Sequence, residues 1–262
     1  MTSITGLVIT FNEAKIISTC LDALQQVCDE IIVVDSFSSD DTVEICSAYP
    51  IVKVIRNRWP GFGPQKNFGA TQARFDHILS VDADEVLSPE LIHSIMEAKS
   101  GQLPEVLWLT RLNNYYGKFL YHGLDAPEQK PRIYDRRTVQ WNLSPVHEEL
   151  EIPLSTPRRV LDGKLWHYTI SNLGDHLTKQ NKYTSLAVQK MVDKGKRPSL
   201  FKLIFSPFFR FIKAYFLKLG LLDGSNGFIV AIMHSNASFQ KHAKLWQHYY
   251  SAQNKPDQKA AL

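Results

Sequence analysis

Four short apolar runs, 4–10, 31–34, 52–55 and 78–81, follow one another in the first third of the chain, each closed by polar residues. Between the first two, Ile16, Ile17, Leu21 and Leu24 recur at helical spacing. Ile31-Ile32-Val33-Val34 is apolar without alternation, as in strands of a parallel sheet buried on both faces. It ends in the polar loop Asp35–Thr42, which leads into a helix near Val43–Ile45. After the third run, the loop Trp59–Pro64 precedes a helix opening at Gln65–Ala70. Strand and helix in alternation predict an open α/β sheet, mostly parallel, with helices on both faces. In such sheets ligands bind outside the carboxyl ends of the strands.

The polar residues at those ends are therefore the candidate site. Ile78-Leu79-Ser80-Val81 stops abruptly at Asp82-Ala83-Asp84-Glu85, and Leu87-Ser88-Pro89-Glu90 then opens a helix. Strand alternation puts Asp82 and Asp84 on one side. Two such carboxylates repel each other unless a divalent cation such as Mg²⁺ or Mn²⁺ sits between them, which typically also takes substrate phosphates. The plainer alternatives are a polar strand end, or Glu85 and Glu90 favouring a helix N-terminus. Asn12, Glu13, Asp35, Lys66, Asp82 and Asp84 all fall at or beyond strand ends, so one crevice could collect them. Neither G-x-G-x-x-G nor G-x-x-x-x-G-K-[ST] occurs, which leaves phosphates to a metal and basic side chains.

The 44% apolar share is ample for a core. Cys20, Cys28 and Cys46 lie in or beside apolar runs without metal-ligand spacing, as buried free thiols of a reducing compartment do. No basic segment followed by a long apolar stretch opens the chain, so no signal peptide is expected, and no run approaches the ~20 apolar residues of a membrane span. Charge is uneven: residues 1–150 hold 13 Lys/Arg against 20 Asp/Glu, and residues 151–262 hold 17 against 6. The second part is expected to face something anionic, either nucleic acid or a membrane surface.

In order, Thr10-Phe11-Asn12-Glu13, Val33-Val34-Asp35-Ser36-Phe37-Ser38-Ser39-Asp40-Asp41-Thr42, Gln65-Lys66-Asn67 and Asp82-Ala83-Asp84-Glu85 resemble the landmarks of family 2 glycosyltransferases. The resemblance implies a GT-A nucleotide-sugar-binding fold and an inverting transfer from a UDP-sugar. It implies that Asp35 reads the uracil, that Thr10, Asn12 and Glu13 line the nucleotide site, and that Lys66 lies near base or pyrophosphate. Asp82 would contact ribose or metal, and Asp84 would ligate the metal. Ser36 departs from the pattern, standing where many relatives carry a second aspartate.

Val106–Thr110 reads as a further strand, and aromatic residues interleaved with polar ones follow it: Tyr115, Tyr116, Tyr121, Tyr134 and Trp141. That mixture suits a carbohydrate cleft, or a wet surface hairpin. An inverting transfer needs a carboxylate base for the acceptor hydroxyl; Glu148 is the first choice and Asp125 the second. His147 would complete a metal shell, touch pyrophosphate or merely serve the fold. Arg132, Arg136 and Arg137 either grip acidic acceptor groups or solvate a surface strand. With Gly220-Leu221-Leu222-Asp223-Gly224 and Gly227, this part is similar to bacterial lipopolysaccharide core β-1,4-glucosyltransferases, which implies UDP-glucose as donor and an inner-core heptose as acceptor. Leu124 stands where many relatives carry tryptophan.

A helix is expected over 171–191, then the basic linker Lys194–Pro198. Residues 200–219 interleave aromatics with Lys202, Arg210, Lys213 and Lys218, with Pro207 expected to kink or restart the helix. Too charged to span a bilayer, this stretch suits the interface of an anionic membrane, or an amphipathic helix packed on the catalytic domain. Phe228–Met233 reads as a short core helix. The expected organisation is a catalytic domain over 1–170, a helical, basic and aromatic membrane-interface and acceptor side over 171–250, and a polar tail over 251–262. The expected protein is cytoplasmic, peripheral on the inner membrane. A nucleotidyltransferase is the second reading, but Thr10–Glu13 contains no glycine or basic residue. Binding of nucleic acid by the basic, aromatic part is the third; it leaves the acidic crevice unexplained and is not expected.

Overall fold

A computed structural model describes residues 1–143 and 148–253. The chain forms two compact units: Met1–Leu112 with Glu128–Tyr168, and Asn113–Pro127 with the chain from Thr169 onward.

The first unit is built on a mixed sheet with helices on both faces, the architecture of the GT-A fold; only its first four strands are parallel, so the sheet is not mostly parallel as expected. Strands β1 (Ile4–Thr10), β2 (Glu30–Asp35), β3 (Val52–Arg56) and β4 (His77–Asp82) lie side by side in the order β3-β2-β1-β4, all parallel. Every residue of β1 is buried, as its unalternating apolar sequence requires. The period of two still sorts side chains between two cores. Ile4, Val8, Ile31, Val33, Leu79 and Val81 pack on one face, with Ile17 and Leu21 of α1 (Ile17–Leu24). Leu7, Ile9, Ile32, Val34 and Ile78 pack on the other, with Ala70 of α3 (Phe62–Thr71), the helix after the short α2 (Thr42–Ser47). Gly69 lets α3 lie flush on β1, since a Cβ there would stand 2.2 Å from a Leu7 methyl.

Beyond β4 the sheet turns antiparallel. A turn at Ala83–Asp84 separates β4 from β5 (Glu85–Leu87), after which Ser88 caps α4 (Pro89–Ser100) by accepting from the Leu91 amide. The strand β6 (Val106–Tyr115) runs on from the unit's end at Leu112, β7 (Lys118–Phe119) belongs to the second unit, and β8 (Glu128–Asp135) returns to pair with both β4 and β6. Finally β9 (Leu165–Ile170) pairs with β5 in the register Glu85 to His167. All three cysteines are free and buried; burial pushes the Cys28 thiol up to about 12 and that of Cys46 to about 11.

The second unit is helical: α5 (Leu173–Asp193), α6 (Leu200–Ile212) and α7 (Gly224–Gln253), with β7 against the end of β6. Two expectations fail here. The helix α6 runs through Pro207, and the break falls later, where Leu219 takes φ 57° and the chain bends by 71°. The short helix expected at Phe228–Met233 is part of the 30-residue α7, because the polar residues that follow are satisfied inside the unit. Ser235 donates to the Pro207 carbonyl and Asn236 to Gln180 Oε1, while Gln180 donates to the Met233 carbonyl.

Candidate active site

The parallel register sets Thr10 beside Asp35 and Ile9 beside Asp82, so the carboxyl ends of β2, β1 and β4 are level. Short polar side chains then tie the loops after β1 and β2 together, the habitual use of Ser, Thr, Asn and Asp in turns. Buried Asp35 accepts from the Ser38 amide at 3.0 Å and from its hydroxyl. Asn12 donates its amide to Ser38 Oγ at 2.9 Å and accepts from the Ser39 amide at 2.8 Å. The Glu13 amide donates to Thr42 Oγ1. Asn12 sits at φ 57°, a region its side chain tolerates, whereas Phe37 at φ 64° holds a conformation that costs a bulky residue roughly 1–3 kcal/mol. Phe11 and Phe37 are both exposed. Behind the loop, buried Gln65 donates to Ser36 Oγ at 3.1 Å and accepts from Asn57 at 2.8 Å.

Seven charged side chains alternate in sign from here into the antiparallel part. Lys66 Nζ, on α3, lies 3.6 Å from Glu148 and 3.1 Å from Asp82 Oδ1. Arg132, on β8, lies 3.4 Å from Asp82 Oδ2 and 2.5 Å from Glu85. Arg111, on β6, lies 3.6 Å from Glu85 and also pairs with Glu128. Lys66, Arg132 and Glu85 are buried, where each ion costs several kcal/mol unless paired. Burial alone would raise the Asp82 pKa; Lys66 and then Arg132 outweigh it and hold the carboxyl well below the usual carboxylate range. Burial works against the Arg132 charge too, and Glu85 and Asp82 more than restore it. The Lys66 ammonium also lies 4.5 Å over the Trp141 ring. Gly63 admits the neighbouring segment, for a Cβ there would stand 2.1 Å from the Asn142 carbonyl oxygen.

The structure thus gathers Thr10, Asn12, Glu13 and Asp35 about one pair of loops, and Lys66, Asp82 and Glu148 in one ionic group. Asp84 goes elsewhere. Because β4 stops at Asp82, alternation does not extend to residue 84, whose carboxylate lies 3.2 Å from His167 Nε2. His167 had no signal in the sequence; only the β5–β9 register brings it there. His147 lies outside the described residues. Asp125 belongs to the second unit, where it pairs with His234 Nε2 at 2.6 Å. Burial would raise its pKa, but the hydrogen bond from His234 lowers it below the ordinary value. Arg132 is neither a surface residue nor free to grip an acceptor, and Arg136 and Arg137 pair with Asp76.

Asp84 and His167 offer an oxygen and a nitrogen donor, a set that suits Mn²⁺ better than Mg²⁺, whose shell is all oxygen. Among the described residues no group of three or more His, Cys, Asp and Glu is disposed to hold a metal. The pair therefore fits a cation whose remaining ligands come from phosphates and water.

Residues 6–152 match the family described as Glycosyl transferase family 2. Among similar proteins, lipopolysaccharide core biosynthesis glycosyltransferase LpsC of Rhizobium meliloti (strain 1021) is 29% identical over 253 residues, 94% of this chain and 93% of that protein. An uncharacterized glycosyltransferase of Rickettsia felis (strain ATCC VR-1525 / URRWXCal2) is 30% identical over 264 residues, 97% of this chain and 93% of that one. The crystal structure of S. aureus TarS 1-349 in complex with UDP is 15% identical and has a TM-score of 0.47, covering 97% of this chain and 93% of that one.

Proposed function

This chain belongs to glycosyl transferase family 2, and from that premise we propose that it moves a hexose, glucose from UDP-glucose, onto an inner-core heptose of lipopolysaccharide or a similar glycolipid. That it is a glycosyltransferase follows from the family; donor and acceptor are the proposal. The name of the Rhizobium relative, a lipopolysaccharide core enzyme, supports the acceptor class.

The observation that carries the reading is the meeting of Lys66, Asp82 and Glu148 within 3.6 Å at the carboxyl edge of the sheet. In an inverting transfer the acceptor oxygen bonds to C1 as the bond from C1 to the diphosphate breaks, and UDP leaves. Glu148, partly exposed and held by Lys66, takes the acceptor proton. Lys66 is a compact cation for the diphosphate. The Asp35 carboxylate has more acceptor sites than Ser38 uses, and these serve the uracil N–H. Thr10, Asn12 and Glu13 line the nucleotide, and Asp82 faces the ribose. A divalent cation held by Asp84 and His167 would offset charge on the leaving diphosphate.

The second unit is assigned the membrane contact, at the cytoplasmic face of the inner membrane. No residue of α6 is buried, and Phe201, Ile204, Phe208 and Phe209 are exposed together with Lys202 and Arg210. Such a mixture lies in the interface against anionic lipid. Among the described residues no single helix is long and apolar enough to cross a membrane; 200–217 and 220–250 pass that test only as a bent pair.

Calorimetry of the purified protein with UDP-glucose, UDP-galactose and GDP-mannose, each with and without Mn²⁺ or Mg²⁺, tests the donor. Metal-dependent binding of UDP-glucose alone is the expected result. Equal or stronger binding of GDP-mannose would rule out the uridine reading.

A further inference from the structure

Glu85 is wholly buried, and its two oxygens are divided between two tasks. One accepts from the Asp82 amide at 2.9 Å. The other lies 2.5 Å from Arg132 and 3.6 Å from Arg111. Arg132 in turn reaches the Asp82 carboxylate at 3.4 Å. Glu85 therefore holds Asp82 twice, directly at the backbone and through Arg132 at the side chain.

It also adjoins the other half of the site. Glu85 pairs in register with His167, and the Tyr168 amide donates to the Asp84 carbonyl at 2.9 Å. The turn between Asp82 and Asp84 is thereby fastened at both ends: Asp82 toward Lys66, and Asp84 toward His167.

Stability alone gives little reason for this arrangement. Well-packed apolar residues often serve a buried site as well as an ion pair does, or better. Only a carboxylate can accept from a backbone amide with one oxygen and face two guanidinium groups with the other, since a glutamine would turn its amide nitrogen toward one side or the other. What the charge supplies here is fixed geometry.

We propose that Glu85 is a positioning residue: with Arg132 it sets the Asp82–Asp84 turn, and so the affinity of the site for a uridine diphosphate and its divalent cation. This rests on the donor reading above. Partners that orient groups at a metal site typically contribute about 10–100-fold in affinity or activity, and a loss in that range is expected when Glu85 is replaced.

The test is calorimetry of UDP with Mn²⁺ on wild type, Glu85→Gln and the double variant Glu85→Met/Arg132→Met, with thermal melting of each. The double variant removes both charges together and leaves Arg111 its partner Glu128, so it keeps the fold if Glu85→Gln does not. The expected result is a melting temperature for the double variant near that of wild type, with UDP bound at least about tenfold more weakly. Wild-type UDP affinity in a folded variant would overturn the positioning role and leave the donor reading standing. Failure of wild type itself to bind UDP with either Mn²⁺ or Mg²⁺ would overturn the donor reading and this inference together.

Discussion

The two units handle charge in opposite ways. In the first, Glu148, Lys66, Asp82, Arg132, Glu85, Arg111 and Glu128 alternate in sign, and Lys66, Arg132 and Glu85 are buried. In the second, residues 194–253 contain nine Lys/Arg and one acid, Asp223. That acid is buried, and it accepts from the amides of Tyr121 and His122 and meets the His122 ring. Its charge is spent inside the fold, and the cations of α6 are left to face outward. Paired, buried charge demands one geometry, as a reaction centre does. Unpaired, exposed charge recognises a sign without a shape, as contact with an anionic surface requires. Single substitutions among the buried, paired charges should therefore cripple the first unit, while exposed charges in either unit should respond gradually, and to salt.

The largest effect that this contrast predicts is at Asp84. Asp84→Ala should lower glycosyl transfer on the order of a thousandfold, as loss of a principal electrostatic group does, with the far-ultraviolet dichroism of wild type. Next comes Arg132→Met, which strips Glu85 of its nearest cation; urea unfolding should show a loss of about 3–5 kcal/mol. In the second unit, Lys202→Glu with Arg210→Glu should abolish sedimentation with anionic vesicles, each cation near such a surface being worth about 1 kcal/mol. Raised salt should mimic the pair in wild type, and UDP affinity should not change. The smallest effect is at the half-exposed pair Lys130 and Glu128, 3.0 Å apart, where Lys130→Ala should shift stability by less than about 1 kcal/mol. A large loss there, or vesicle binding indifferent to both charge reversals, would break the contrast.

The parallel half of the fold was legible because local pattern determines it. Ile31–Val34 reads as a doubly covered strand from its own composition, and Asp35 and Asp82 mark strand ends wherever their neighbours lie. What the sequence hid depends on long-range pairing. Arg132 looks like a surface residue until β8 is laid against β4, and His167, the partner of Glu85 in register, lies 82 positions further along the chain. The Asp82–Asp84 alternation misled because the strand stops two residues too soon for it to apply. The length of α7 was masked by His234, Ser235 and Asn236, polar residues that bond to other parts of the helical unit.

The most direct test of the central claim, that the ionic group at the sheet edge is a transfer centre with Glu148 as its base, is one variant measured twice. Glu148→Gln should bind UDP-glucose with wild-type affinity by calorimetry and lose turnover by about 10²–10⁴-fold, the usual contribution of a general base. Full turnover with wild-type donor binding would contradict the claim.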